Sequence, residues 1–72
     1  MKNRMIIIVG SNNGKFVSCE SVQLEKRKAK RIAARYSIRL QKTKSNNYFC
    51  VCNNGYDFSD VLYDMQAVVK KA

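Results

Sequence analysis

"MIIIVGSNNGKF", residues 5–16, admits two readings, and the fold turns on which one holds. Five apolar residues run into a turn that ends in Gly14-Lys15, the outline of a phosphate-binding loop. Such a loop needs G-x-x-x-x-G-K-[ST]. Four spacers let successive backbone N–H groups curl round the phosphates, lysine reaches the terminal phosphate, and the hydroxyl holds the metal. Here only three residues separate Gly10 from Gly14, and Phe16 stands where the hydroxyl belongs. The continuation "FVSCES" (16–21) reads as a strand, whereas a phosphate loop opens a helix. Ser11-Asn12-Asn13-Gly14 suits a turn between two strands, because Asn and Gly accept positive φ. We therefore expect a β-hairpin with strands at about Arg4–Val9 and Phe16–Cys19, and no nucleotide cradle.

The unbroken apolar run of the first strand predicts burial on both faces and a central place in the sheet. Beyond the hairpin, Ser21 is a candidate N-cap for a helix reaching about Tyr36. Ile38 and Leu40 alternate with Arg39 and Gln41 over a strand at Ile38–Thr43, and Ser45-Asn46-Asn47 turns the chain. In a fourth strand, Tyr48–Cys52, Phe49 and Val51 point to one face and Tyr48, Cys50 and Cys52 to the other. Asn53-Asn54-Gly55 signals another turn. The last helix, Ser59–Lys70, has Asp57 or Ser59 as cap and an apolar stripe of Val61, Leu62, Met65, Val68 and Val69. Asp60 and Asp64 near its start and Lys70 and Lys71 at its end match the helix dipole. The expectation is one α+β domain over residues 1–72, a small antiparallel sheet with two helices in the order ββαββα.

A chain of 72 residues has room for one small core and little for an elaborate pocket, and 46% apolar residues argue for folding. The apolar run after Met1-Lys2-Asn3-Arg4 is too short for a secretion signal, and no stretch approaches membrane-spanning length. A soluble protein of the host cytoplasm, without a membrane partner, is expected. The three cysteines cannot all pair within the chain. Cys50 and Cys52, two apart on a strand, do not suit an ordinary disulfide, and a zinc site takes four ligands in a chain without histidine. Reduced thiols, no metal and no cofactor follow. Without histidine there is no general base for neutral pH, and a cysteine nucleophile lacks its imidazole. Asp57, Asp60 and Asp64 are explained by capping and dipole effects. The chain reads as non-catalytic.

Charge is the strongest compositional fact: 14 Lys and Arg against 5 Asp and Glu, a net +9. That implies an anionic partner, either nucleic acid, a nucleoprotein or an acidic protein face, although cationic charge also serves solubility. The charge concentrates in "EKRKAKRIAARY" (25–36). At about 100° per residue, Val22, Ala29, Ile32, Ala33 and Tyr36 gather on one side. Arg27, Lys28, Arg31 and Arg35 gather on the other, with Lys26 and Lys30 on the flank. Leu24 falls on the basic side, an inconsistency that a later helix start or a bent first turn would remove. A merely soluble helix interleaves acids with bases, yet Glu25 is the lone acid here. Lys26, Arg27, Lys30, Arg31, Arg35 and Arg39 are therefore the candidate residues for binding nucleic acid or another partner. Lys42, Lys44, Lys2 and Arg4 are extensions of the patch. No helix-turn-helix or zinc-finger spacing supports base reading, and Tyr48 and Tyr56 are stacking candidates that packing explains equally well.

The segment "AKRIAARY…IRLQ…YFCVCNNGYDF" resembles a small family of phage-encoded type I-F anti-CRISPR proteins, usually numbered ninth. Those chains also begin with a short apolar strand after Met-Lys, carry an A-K-R-I-A helix and follow it with two strands. The likeness covers about four-fifths of the chain, with the closest match in the five-residue helix motif. It implies a protein that binds the backbone subunits of a crRNA-guided surveillance complex, occupies the channel for target DNA and binds duplex DNA non-specifically. The family's Lys-Arg pair falls on Lys30 and Arg31. Its basic residues near the last turn meet Cys52 and Asp57 here, and the final helix is an addition to its pattern. Two other classes fit the residues. One is an interaction module whose apolar C-terminal helix docks on a partner or a second copy of the chain. The other is a non-specific regulatory DNA-binding protein.

Overall fold

The computed structural model describes the backbone of residues 2–53 and 55–71 and the side chains of 2–53 and 57–70. The elements are β1 (Asn3–Asn12), β2 (Lys15–Glu25), α1 (Lys26–Arg35), β3 (Gln41–Lys42), β4 (Tyr48–Cys52) and α2 (Gly55–Lys71). This is the α+β order ββαββα, in one four-stranded sheet ordered β2-β1-β4-β3. The apolar run of β1 does occupy a central position. The sheet is mixed, however, where an antiparallel one was expected. β1 pairs antiparallel with β2 and β3 with β4, but the middle pair, β1 and β4, is parallel, with Ile6 opposite Tyr48 and Gly10 opposite Cys52. The chain between them is long enough to cross over, which a parallel pair requires.

Asn13 (φ 55°) and Gly14 (φ 80°) close the hairpin between the paired residues Asn12 and Lys15. Positive φ at both turn positions is the type I′ geometry, whose twist suits two strands. Gly10 serves packing: a β-carbon there would lie 2.9 Å from Cδ1 of Phe58 and 2.9 Å from Oγ of Ser18. The glycine that suggested a phosphate loop thus lets the α2 ring lie against the sheet.

Beyond β1, which runs on to Asn12 and leaves only Asn13-Gly14 as the turn, three boundaries differ from the sequence expectation. Ser21 caps no helix, because β2 continues to Glu25 and α1 begins at Lys26. Ser21-Val22-Gln23-Leu24 alternates with a period of two, and Leu24 is buried in the core on β2, which removes its misplacement on the helical wheel. The third strand shrinks to Gln41–Lys42. Ser37 (φ 58°) ends α1 in the left-handed conformation, and the Ile38 N–H donates to the Ala33 carbonyl at 3.0 Å. Ile38 and Leu40 then pack on the core, a Schellman-type ending that leaves little chain to pair. Finally, α2 starts at Gly55 rather than near Ser59. Asn54 and the side chains of Tyr56 and Lys71 lie outside the described residues.

Both helices lie on one face of the sheet. Ile6 and Ile8 of β1, Tyr48, Cys50 and Cys52 of β4, Leu24 of β2, Ala29 and Ile32 of α1, and Val61 and Met65 of α2 form one buried cluster. The apolar stripe of α2 is thus largely packed on the sheet, with Leu62 half-buried and Val69 still 40% exposed. Truncating Met65 to Ala should cost about 2–5 kcal/mol and Leu62→Ala less, because only the first site is fully enclosed. Urea unfolding of the two variants checks the order. Gly10→Ala should cost roughly 1–3 kcal/mol by overpacking, and the penalty should shrink in a Phe58→Ala background. Equal penalties in the two backgrounds would show that the ring does not dictate the glycine.

Candidate nucleic-acid interface

Helix α1 is held down by a narrow stripe. Ala29, Ile32 and Ala33 are buried and Tyr36 packs on the core, while every cation of the helix is exposed. The small alanines let the helix approach the sheet closely. Nearest the sheet, the Lys26 ammonium stands 5.4 Å from the centroid of the Tyr48 ring, a cation–π contact. On the flank, Lys28 Nζ is 3.8 Å from Glu25 and Arg35 Nη1 is 4.0 Å from Asp64 of α2. Both are long pairs whose cations are exposed, and they contribute little. Among the described residues, Arg27, Lys30 and Arg31 have no ion-pair partner. Five of the six candidate residues therefore share α1, and three of them present uncompensated charge to solvent.

The beginning of α1 concentrates the charge further. Its N-cap, Glu25, has an extended backbone (φ −63°, ψ 137°) and makes no side-chain capping bond, and no acid lies in the first turn. Lys26, Arg27 and Lys28 instead occupy the end of the helix where the dipole is positive, an arrangement that favours a nearby anion. Arg4 shares the core-side parity of Ile6 and Ile8 and reaches this end of the helix. Together Lys2, Arg4, Glu25, Lys26, Arg27 and Tyr48 line a shallow depression of about 320 Å³. Lys2 and Arg4 thus extend the basic surface. Tyr48 is 9% exposed and packs in the core, with Lys26 above its ring.

Arg39 is set apart. It follows the left-handed Ser37 and lines a different depression with Tyr36, Gln41, Val51 and Asp57. Tyr36 is tied in by the hydrogen bond that its hydroxyl donates to Asp64 Oδ2 at 2.5 Å, which anchors the last turn of α1 to α2. That bond, with burial second, pushes the Tyr36 pKa up from 10.0 to about 12.

The cysteines are free: Cys19 is exposed and Cys50 and Cys52 are buried. Burial pushes the Cys50 thiol up from 9.0 to about 12, and burial, followed by the charge of Asp57, raises Cys52 as well. Among the described residues, no group of three or more His, Cys, Asp or Glu is placed to hold a metal ion. No described helix is long and apolar enough to cross a membrane.

No protein-family model matches the chain, and no curated protein or solved structure matches it. The functional reading rests on its own residues.

The shifted groups give a pH prediction. Cys50, Cys52 and Tyr36 are held neutral in the folded state with pKa values above their unfolded ones. Their contribution is fully present below pH 9.0 and is lost as pH rises towards about 12. Unfolding free energy should therefore fall above pH 9. A thiol reagent at pH 8 should modify Cys19 at once and the other two cysteines only after denaturation. Three equally fast thiols would contradict the burial of Cys50 and Cys52.

Proposed function

We propose that this chain is a small non-catalytic basic protein that docks α1 on nucleic acid or a nucleoprotein. Its sharpest form is a phage- or mobile-element-encoded inhibitor that occupies a crRNA-guided type I surveillance complex in the host cytoplasm and blocks target DNA binding. The observation that carries the reading is the outward face of α1. Arg27, Lys30 and Arg31 stand exposed without a counter-ion among the described residues, beside the basic depression at the uncapped start of the helix. A helix selected for solubility alone gains from interleaved acids, and this one gives up that gain. The anti-CRISPR form is supported by the A-K-R-I-A motif, whose Lys30 and Arg31 belong to the uncompensated face. Recognition through phosphates is largely sequence-blind, which suits a surface of lysines and arginines with the nearby Tyr48 ring covered.

The test reverses charge where the core does not notice. Lys30→Glu with Arg31→Glu should abolish binding to duplex DNA and to a type I-F surveillance complex, while the thermal midpoint stays within a few degrees of wild type. For DNA, log affinity should fall with log salt at a slope of about −0.9 per phosphate neutralised. A protein surface within the complex gives a shallower slope and survives nuclease treatment. A folded double mutant that binds both targets like wild type would reduce the basic face to a solvated surface.

A further inference from the structure

The sheet has a second face, which no described element covers. Register and burial alternate together along β1: Ile6, Ile8 and Gly10 are buried under the helices, whereas Met5, Ile7 and Val9 point the other way. Phe49 and Val51 of β4 lie beside Ile7 and Val9 on that outer face, and Phe16 pairs with Ser11 at its end. None of these residues packs against the core cluster: Ile7, Val9, Phe49 and Val51 are half-buried among their sheet neighbours, and Met5 and Phe16 are 37% and 70% exposed. The continuous apolar run of β1 is the pattern of a strand buried on both faces. The single chain buries one fully and the other by half.

We propose that a second copy of this chain covers the outer face, in a two-fold pair with the two sheets stacked and the helices outside. Charge decides the occupant. The chain carries +9, yet between Asn3 and Ser11 the outer-face positions of β1, and those facing them on β4, carry no charged residue. A neutral face has nothing to offer a phosphate backbone or an acidic protein. It is self-complementary, as a two-fold interface must be. Stacking through it puts the two α1 helices on opposite outer surfaces, roughly 30 Å apart at about 10 Å per layer, beyond the Debye length at physiological salt. Contact through any basic surface brings like charges together instead. The area is sufficient for a reversible pair. Strand spacing and rise give a face on the order of 400 Å² in projection, and the accessible area of a corrugated side-chain surface exceeds its projection. That places the contact near the lower end of stable interfaces, with micromolar dissociation expected.

The experiment is sedimentation equilibrium of the nuclease-treated full chain from about 1 to 300 μM at low and high salt. Wild type should show a reversible monomer–dimer equilibrium that strengthens as salt screens the repulsion. Nucleic-acid binding responds to salt in the opposite direction, so the two readings fail separately. Ile7→Thr with Val9→Thr keeps β-branched side chains in the strand and should weaken dimerisation at least tenfold while melting cooperatively. If that pair does not melt cooperatively, Val51→Lys at the flank serves in its place. Lys30→Glu with Arg31→Glu should dimerise at least as well as wild type. A wild type that stays monomeric throughout would overturn the proposal, including one that binds neutral vesicles instead. So would an outer-face variant that dimerises like wild type, or dimerisation that weakens with salt.

Discussion

The parallel pairing of β1 with β4 constrains everything else in this fold. Two parallel neighbours cannot be joined by a tight turn, so the chain must leave β1 and re-enter beside it in the same direction. It does so by folding back along β1 as β2, then travelling up the sheet face as α1, and reversing again through the short β3. α1 is therefore the connecting segment of a crossover. Ten residues span about 15 Å as a helix, close to the length of the five-residue strand β4. A helix used this way needs only enough apolar surface to sit on the sheet, and Ala29, Ile32 and Ala33 supply it. The rest of its circumference is free to carry charge.

That freedom has been used in one direction only. Lys26, Arg27 and Lys28 in the first turn each oppose the dipole, typically by a few tenths of a kcal/mol or more when exposed. Arg35, at the far end, is placed as the dipole favours and also has Asp64 within 4.0 Å. α2 follows the stabilising rule at its start, with Asp57 in its first turn. One protein thus contains a helix that begins as stability recommends and one that begins against it. The contrast shows where the excess charge lies, at the start of α1, which net charge alone does not say.

Periodicity made much of this architecture legible. Tyr48–Cys52 is legible with its boundaries and both faces, because a five-residue alternation has one solution. The Asn-Gly hairpin is legible from turn chemistry, and five of the six candidate binding residues fall together because they share one helix. Where the structure departs from the sequence expectation the reasons are physical. Ser21 has the chemistry of a cap residue, but the period-two alternation of Val22 and Leu24 keeps it in β2, and Leu24 on the wrong side of the helical wheel points to the later helix start. Ile38 and Leu40 alternate like strand residues, while the backbone after Ser37 directs them onto the core and leaves β3 short. Strand direction was invisible, since alternation is identical in parallel and antiparallel pairs. The basic depression needed the same information. Arg4 shares parity with Ile6, yet only the position of α1 brings it to Lys26 and Arg27. Arg39, expected on the third strand as an extension of the basic patch, is carried away from it by the left-handed Ser37.

Size gives the outer face of the sheet its weight. A domain of 72 residues buries a smaller fraction of its surface than a large one, so its stability depends strongly on each apolar side chain it encloses. Here the central strand encloses Ile6 and Ile8 and leaves Ile7 and Val9 half-buried on the other face. At about 25 cal/mol per Å² of apolar surface, covering that face gains more than adjusting any exposed ion pair. The alternative, polar residues at Ile7, Val9, Phe49 and Val51, would give the half-solvated alternation usual for an open sheet. The strand does not show that alternation. The proposed pair would supply the missing cover, as four layers of helix, sheet, sheet and helix in which the neutral faces join two copies and the basic helices stay apart. In that proposal, segregating charge to one side of the sheet and apolar surface to the other would let a strongly basic chain associate with itself and with an anion at the same time.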